Sequence, residues 1–277
     1  MNLKDKVCLI TGATSGIGKE TALALAKEGA TIVFTARNPE KGEKVKQELV
    51  EATGNENIET MYCNLASLES VRDFVDSFKN KYKNLHVLIN NAGIWETKRK
   101  ESDDGIELNF AVNHLAPFLM TNLLLDMIKS SSPARIINLS SDAHKPAKLN
   151  FNDIEGKKSW SSFGSYAQSK LCNILFTKKL SQILAGTGVT VNCVHPGLVS
   201  TTLFDKMNSI LRAVFSLFMI SSKRGAQTSI FLATSDDVKD ISGEYFSKKK
   251  IVTPSKAAQN MENAEKLWEI SKRYTGL

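Results

Sequence analysis

One stretch near the N-terminus constrains the fold more than any other. Lys6–Thr11 (KVCLIT) is short, apolar and β-branched, as a buried strand is. It runs into Thr11-Gly12-Ala13-Thr14-Ser15-Gly16-Ile17-Gly18 and then into helical apolar spacing to about Glu28, where Gly29 makes a natural stop. Thr31–Ala36 (TIVFTA) reads as a second strand. Strand, glycine turn, helix and strand within about 30 residues form a βαβ unit, which calls for a parallel sheet covered by helices. Gly12 permits the tight exit from the strand, Gly16 lets backbone approach a pyrophosphate, and Gly18 lets the helix pack close to the strand. The helix N-terminus then offers N–H groups and positive potential to phosphates. The turn as a whole, with Thr14, Ser15 and Ile17 among its glycines, is therefore the first candidate binding site. Its spacing is GxxxGxG rather than the commoner GxGxxG.

The rest of the chain repeats the alternation. Pro39–Thr53 is a charged amphipathic helix, Ile58–Asn64 a strand, and Ser67–Tyr82 a helix capped by Ser67. Val87–Ile89 is a very short apolar strand ending in Asn90-Asn91-Ala92-Gly93. Asp103–Ser130 reads as one long helix in which Pro117 predicts a kink or a changed hydrogen-bond pattern. Arg135–Leu139 is a strand ending in Ser140-Ser141, and Asn150–Gly164 a loop leading into a helix over Ser165–Ala185. Thr190–Val194 is a strand ending in His195-Pro196-Gly197. A helix over Ser222–Thr234, a short strand near the sheet edge at Glu244–Phe246 and an amphipathic helix over Ser255–Arg273 close the chain. The expected fold is α/β: a single Rossmann-type doubly wound parallel sheet with helices on both faces, residues 1–277 forming one domain. In such sheets the ligand sits beyond the C-terminal ends of the strands. The glycine turn, Arg37, Asn64, Asn90, Ser141 and the Pro196-Gly197 turn all fall there, which points to one shared site.

Two side-chain patterns suggest chemistry. Tyr166 and Lys170 are four residues apart, so a helix places them on one face. The ammonium is expected to favour the phenolate and lower the tyrosine pKa from about 10, making the hydroxyl usable in proton transfer. At the end of the second strand, an acid would hold the ribose hydroxyls of NAD. This chain has Arg37 there, and Lys19 lies just past the glycine turn. The planar fork of an arginine grips a 2′-phosphate, so NADP(H) is expected over NAD(H).

Composition sets outer bounds. At 277 residues, 42% hydrophobic and 23% charged, the chain can bury a sizeable core. Its net charge of +7 is scattered or held in short runs (Lys98–Lys100, Lys248–Lys250), as on a solvated surface and unlike a nucleic-acid face. Cys8, Cys63, Cys172 and Cys193 lack metal-ligand spacing and read as buried thiols in a reducing compartment, so no metal is expected. A first strand near Lys6 leaves little room for a signal peptide, and no run looks apolar enough to span a bilayer, so a cytoplasmic protein is expected. The stretch 210–220 is apolar nearly all round. It reads as part of a substrate lid over about 200–222, as a patch for peripheral contact with a membrane or partner, or as a plain buried helix.

In order and spacing together, these motifs resemble the short-chain dehydrogenase/reductase family over almost the full length. They are TGATSGIG at Thr11–Gly18, NNAG at Asn90–Gly93, the helix asparagine Asn113, the strand-end serine Ser141, YAQSK at Tyr166–Lys170, and PG followed by Thr201. The stretches LINNAGIW, FAVNHLAPFLMTNLL, RIINLSS and CVHPGLV are most similar to the retinol dehydrogenase and WW-domain oxidoreductase branch, with light-dependent protochlorophyllide reductases also similar. The resemblance implies a catalytic tetrad of Asn113, Ser141, Tyr166 and Lys170. Tyr166 would exchange the proton, Ser141 would hydrogen-bond the substrate oxygen, Lys170 would tune Tyr166 and hold the nicotinamide ribose, and Asn113 would hold a water in a proton relay. It further implies a cofactor site from Gly12, Thr14, Ser15, Gly16, Ile17, Gly18, Arg37, Asn64, Leu65, Asn90, Asn91, Ala92 and Gly93, with Pro196, Gly197, Val199 and Thr201 at the nicotinamide end. Asn64 stands where the family usually has an aspartate, and its amide is expected to serve the adenine instead. The implied activity is hydride transfer between NADP(H) and a hydrophobic carbonyl/alcohol pair. A non-catalytic NADP(H) sensor or partner-binding protein, and a protochlorophyllide reductase-like enzyme, remain alternatives. A homodimer or homotetramer is left open.

Overall fold

A computed structural model of the chain describes residues 1–199 and 219–277. Eight strands form one sheet: β1 (Val7–Ile10), β2 (Thr31–Ala36), β3 (Ile58–Tyr62), β4 (Val87–Asn90), β5 (Ala134–Leu139), β6 (Val189–His195), β7 (Tyr245–Ser247) and β8 (Lys250–Ile251). Their order is β3-β2-β1-β4-β5-β6-β7-β8. Every pairing is parallel except the last, β7 with β8. The chain winds outward from β1 in one direction through β2 and β3, then returns to β1's other edge with β4. That reversal is the switch point at which open α/β sheets form a crevice.

The central strands are mostly apolar because both faces are covered; the polar residues they bury, Asn90, Arg135 and Asn138, are hydrogen-bonded. Along β1, Cys8 and Ile10 join the cluster that includes Ala22 and Leu25 of α1 (Gly16–Lys27) and Val45 and Leu49 of α2 (Pro39–Thr53). Leu9 points the other way, into the cluster of Phe74 and Phe78 from α3 (Leu68–Lys81), Phe118 from α4 (Leu108–Ser130) and Phe176 from α5 (Ser162–Ile183). This is the two-residue side-chain period of a strand with helices on both sides. Helix α6 (Ser222–Thr234) adds Leu232 and Ala233 to the first cluster. Helix α7 (Met261–Thr275) packs Ala264, Leu267 and Ile270 beside Leu171 and Leu175 of α5.

The stretch expected as one helix from Asp103 starts later and carries a defect. Ser102 turns the chain, its hydroxyl accepting from Asp104 N (3.2 Å) and Ile106 N (3.3 Å), and Glu107 then caps the helix by accepting from Phe110 N (2.8 Å). Ala111–Leu115 is a π turn, in which Ala116 N–H reaches back five residues to the Ala111 carbonyl. Pro117 has no N–H for the Asn113 carbonyl four residues back, and the wider turn accommodates that missing donor. Among the described residues, Leu108–Ser130 is also the one helix long and apolar enough to cross a bilayer, contrary to the expectation of none. In this fold 78% of its most apolar window is buried within the protein, so its apolar surface already has partners. The substrate-lid segment expected at about 200–222 falls mostly outside the described residues, as does the 210–220 patch apart from its last two residues.

Candidate active site

A cleft of about 440 Å³ opens across the C-terminal ends of the strands. Residues from the ends of β1 through β6 contribute: Gly12, Arg37, Asn64, Ala92, Ser140 and Pro196 each stand at a different strand exit. One end is polar and cationic, with the glycine turn, Arg37 and Lys41; the other reaches Tyr166 and Lys170.

The glycine turn is held from across the switch point. Asn91 Nδ2 donates to the Thr11 carbonyl (2.7 Å) and the Gly12 carbonyl (3.1 Å), while Asn91 N and Ala92 N both donate to Thr11 Oγ (3.0 Å each). Gly12 has φ +68°, and a Cβ there would stand 2.9 Å from Ala92 Cα. At Gly18 a Cβ would meet Asn91 Nδ2 at 2.5 Å and the Gly12 carbonyl at 2.6 Å. The close packing expected of Gly18 is therefore against the Asn91 side chain as well as the strand end, and Gly12, expected for its tight exit, is also pressed against Ala92. Ser15 is the N-cap of α1 but makes no capping bond with its side chain, and Thr14, Ser15, Gly16 and Ile17 line the cleft.

Around Tyr166 the predicted residues converge. Tyr166, Lys170, Asn113 and Ser141 come from α5, the π turn of α4 and the exit of β5. Asn113 is fully buried; its Oδ1 accepts from Ile94 N (2.7 Å), and its Nδ2 donates to the Ile94 carbonyl (2.9 Å) and Ser169 Oγ (2.9 Å). Its amide thus clamps the loop after β4 onto α5 rather than reaching out to hold a water. A Cβ at Gly93 would lie 3.1 Å from Lys170 Nζ and 3.4 Å from Asn113 Oδ1, so these two groups meet beneath Gly93. Of the adjacent serines, Ser140 donates its hydroxyl to the Lys170 carbonyl (2.7 Å) and ties β5 to α5. Ser141 makes the hydrogen-bond contact with Tyr166.

The electrostatics depart from expectation. Burial pushes the Tyr166 phenol up to about 12, opposed only by the Ser141 hydrogen bond. Burial likewise lowers Lys170 to about 8. Lys170 Nζ lies 5.7 Å from the Tyr166 ring centroid and donates to the Leu139 carbonyl at 3.3 Å. Desolvation disfavours both charged forms, and the ammonium is turned toward a strand carbonyl rather than the phenol oxygen. Tyr166 accordingly rests as a protonated phenol.

Other expectations need correction. Lys19 forms an ion pair with Glu48 and is not among the cleft-lining residues; Lys41, which the sequence reading missed, lines it beside Arg37. Asn64 lines the cleft with Leu65, yet its Nδ2 donates to Asp103 Oδ2 (2.9 Å) and its Oδ1 accepts from Ala66 N (3.2 Å). The amide expected to read adenine is engaged at both ends within the protein. Asn90 is buried, donating to Thr121 Oγ (3.0 Å) and Asn138 Oδ1 (2.8 Å), and it is Asn91 that lines the cleft. Pro196 lines the cleft, but Gly197 and Val199 do not; Val199 is buried and bridges to Ile220. Thr201 lies outside the described residues. Two aromatic neighbours were also missed. Trp95 stacks on Tyr166 (centroids 5.2 Å, planes 17° apart), its indole N–H held by Ser162 Oγ at 2.9 Å, and Phe163 meets Trp95 edge-on at 6.1 Å. Their only sequence signal is position, two residues past Gly93 and three before Tyr166.

Comparison with known proteins agrees with this geometry. Residues 6–211 match the family described as short chain dehydrogenase. Retinol dehydrogenase 12 from Mus musculus is 42% identical, covering 100% of this chain and 88% of that protein. Retinol dehydrogenase 13 from Homo sapiens is 40% identical over 99% of this chain and 86% of its own. Among solved structures, an uncharacterized protein from Mycobacterium paratuberculosis superimposes with a TM-score of 0.82 at 30% identity, covering 99% of this chain and 95% of its own. The RhlG/NADP active-site complex from Pseudomonas aeruginosa shares the fold, with a TM-score of 0.73 at 21% identity over 88% of this chain and 95% of its own.

Proposed function

This chain belongs to the short-chain dehydrogenase family, and on that premise we propose that it moves hydride between NADP(H) and an apolar carbonyl/alcohol pair, with Tyr166 as the proton donor and acceptor. One observation carries the proposal. Tyr166, with the Ser141 hydroxyl in hydrogen-bonding reach and Lys170 beside it, stands on the wall of a cleft that also bears Arg37 and Lys41.

The residues present fit the dinucleotide. Side chains at Gly12 and Gly18 would collide with the Asn91-Ala92 segment, so the cradle is bare backbone at the start of a helix, where phosphates bind. Arg37 and Lys41 would take the 2′-phosphate that distinguishes NADP(H). The bound cofactor supplies the hydride for reduction or accepts it for oxidation. In reduction, as the carbonyl carbon gains hydride, the π electron pair moves to oxygen and that oxygen takes the Tyr166 proton. Ser141 donates a hydrogen bond to the same oxygen and stabilises its developing charge. Lys170, charged below about pH 8, stabilises the tyrosinate left behind. Asn113 keeps the Ile94 loop against α5, beside Lys170. A phenol that rests protonated is ready as the acid that reduction requires.

The surroundings of Tyr166 support an apolar substrate. Trp95 stacks on its ring, and Phe163, 47% exposed, meets Trp95 edge-on, which extends the aromatic surface outward. The relatives are named for retinol, a long apolar alcohol. A retinoid, steroid or lipid-like aldehyde or ketone fits both. The test is turnover of a panel of apolar aldehydes and ketones with NADPH. Tyr166→Phe should lose about 10²–10⁴-fold in kcat while still binding NADPH. An active Tyr166→Phe variant, or an inert native enzyme across the panel, would refute the proposal.

A further inference from the structure

Ser141 stands where β5 gives way to a single 3-10 turn, Asp142–His144. Its backbone is extended (φ −159°, ψ 153°), and its hydroxyl oxygen caps the turn by accepting from Ala143 N–H (3.2 Å), so the placing of the turn sets where the hydroxyl points. Two imidazoles grip the peptide on either side. His144 Nε2 accepts from Ser255 N–H (3.1 Å), which places the His144 proton on Nδ1, and Nδ1–H donates to the Ser141 carbonyl (2.7 Å). His195, at the end of β6, accepts from Asp142 N–H through Nδ1 (3.2 Å), which places its proton on Nε2. Both rings must be neutral to make these bonds, because in each one ring nitrogen acts as acceptor.

We propose that His144 and His195, as neutral imidazoles, are positioning residues that brace the Ser141–Asp142 peptide and so aim the Ser141 hydroxyl at the substrate oxygen. This rests on the role of Ser141 proposed above. Burial holds both histidines below their ordinary value. The charged groups around them divide. Asp142, whose Oδ2 is 3.9 Å from His195 Nε2, favours the imidazolium, while Lys145 opposes it at both rings, and Lys248 and His144 oppose it at His195. Asp142 is itself occupied by Lys145 Nζ (2.8 Å) and Tyr245 OH (3.0 Å). Protonating His195 at Nδ1 removes the lone pair that Asp142 N–H donates to. Protonating His144 at Nε2 sets its new N–H against Ser255 N–H. The first event releases the Asp142 side of the peptide; the second frees the His144 ring from its anchor at Ser255, so that the ring still donates to the Ser141 carbonyl but no longer fixes its position.

The experiment is the pH profile of kcat for carbonyl reduction with NADPH, from about pH 8 down to about pH 4, because burial moves both histidines below the ordinary value near 6.5. In this direction the protonated forms of Tyr166 and Lys170 are the active ones, so neither produces an acid limb. The native enzyme should lose rate in acid. An asparagine at position 195 supplies an amide oxygen in place of Nδ1, and one at 144 an amide N–H, and neither protonates. His195→Asn and His144→Asn should each shift the acid limb, and the double variant should flatten it. His195→Leu should lower kcat about tenfold at neutral pH, within the ~10²-fold that a 1 Å misplacement costs, with KM for NADPH unchanged. If the double variant does not fold, the two single asparagine variants decide. An acid limb unchanged in all folded asparagine variants, or a folded His195→Leu with full kcat, overturns the brace. Ser141→Ala separates the two proposals. If it stays active, the role of the serine fails and the brace with it; if it is inactive beside a fully active His195→Leu, only the brace fails.

Discussion

Cofactor choice gives the sharpest test of where this fold puts its positive charge. Three cations compete for a 2′-phosphate: Lys19 after the glycine turn, Arg37 after β2, and Lys41 in the first turn of α2. Lys19 is paired with Glu48, whereas Arg37 and Lys41 line the cleft. Hydrogen bonds to charged groups are worth about 1.5–3 kcal/mol, and the solvent around the exposed Arg37 side chain keeps its share near the lower end. About 1.4 kcal/mol is tenfold, so Arg37→Ala should raise KM for NADPH about tenfold. Lys41→Ala, a point charge rather than a fork, should raise it about three- to fivefold. Neither should alter KM for NADH, which has no phosphate there. Lys19→Ala should leave KM for NADPH within about twofold, because its charge is already matched by Glu48. The assay is initial-rate kinetics with both cofactors at fixed carbonyl substrate, repeated at raised salt, where the Arg37 and Lys41 effects should shrink. A Lys19→Ala variant that loses NADPH as badly as Arg37→Ala would refute the assignment, since it would mean the Glu48 pair opens to the phosphate. Equal losses for NADH and NADPH in Arg37→Ala would refute the phosphate clamp itself.

Three further outcomes follow from the same geometry. Gly18→Ala would put a methyl against Asn91 Nδ2 and two backbone atoms; overpacking of this kind costs about 1–3 kcal/mol, so its melting temperature should fall and NADPH should bind more weakly, and a variant as stable as the native protein would contradict the packing. Lys170 is buried with a value of about 8 against an ordinary 10.5, so the cost of burying its ammonium is full below pH 8 and is relieved as pH rises toward 10.5. Lys170→Met should therefore be inactive yet more stable at pH 7, by roughly 1–3 kcal/mol in denaturant unfolding, with the gap closing as pH rises; a less stable variant at pH 7 would refute the buried charge. In the reductive direction, native kcat should fall as pH rises through about 8 with the loss of that charge, and a flat alkaline profile would remove Lys170 from the chemistry.

What the sequence could and could not disclose divides along physical lines. Elements whose pattern is set locally were legible to the residue: β2 at Thr31–Ala36, α2 at Pro39–Thr53, and α6 at Ser222–Thr234. The hairpin strand β8 was not, because its two-residue turn puts Lys248 and Lys249 at φ 51° and 63°, where such turns usually carry asparagine or glycine. The π turn at Ala111–Leu115 was announced by Pro117 only as a disturbance, since one missing N–H does not specify which wider register replaces it. The site residues were legible because parallel topology delivers every strand exit to the same edge, whatever the side chains do. The state of each side chain was not, because it is decided by partners distant in sequence. Glu48 takes Lys19, Asp103 takes Asn64, Thr121 and Asn138 take Asn90, and the burial of α5 reverses the expected direction at Tyr166. An i, i+4 spacing tells which two groups share a helix face but nothing about the dielectric around them, and here the dielectric outweighs the spacing. The phenol therefore rests protonated and is a weaker acid than the motif alone would suggest, so the Lys170 charge acts on the tyrosinate as it forms and not on the resting phenol.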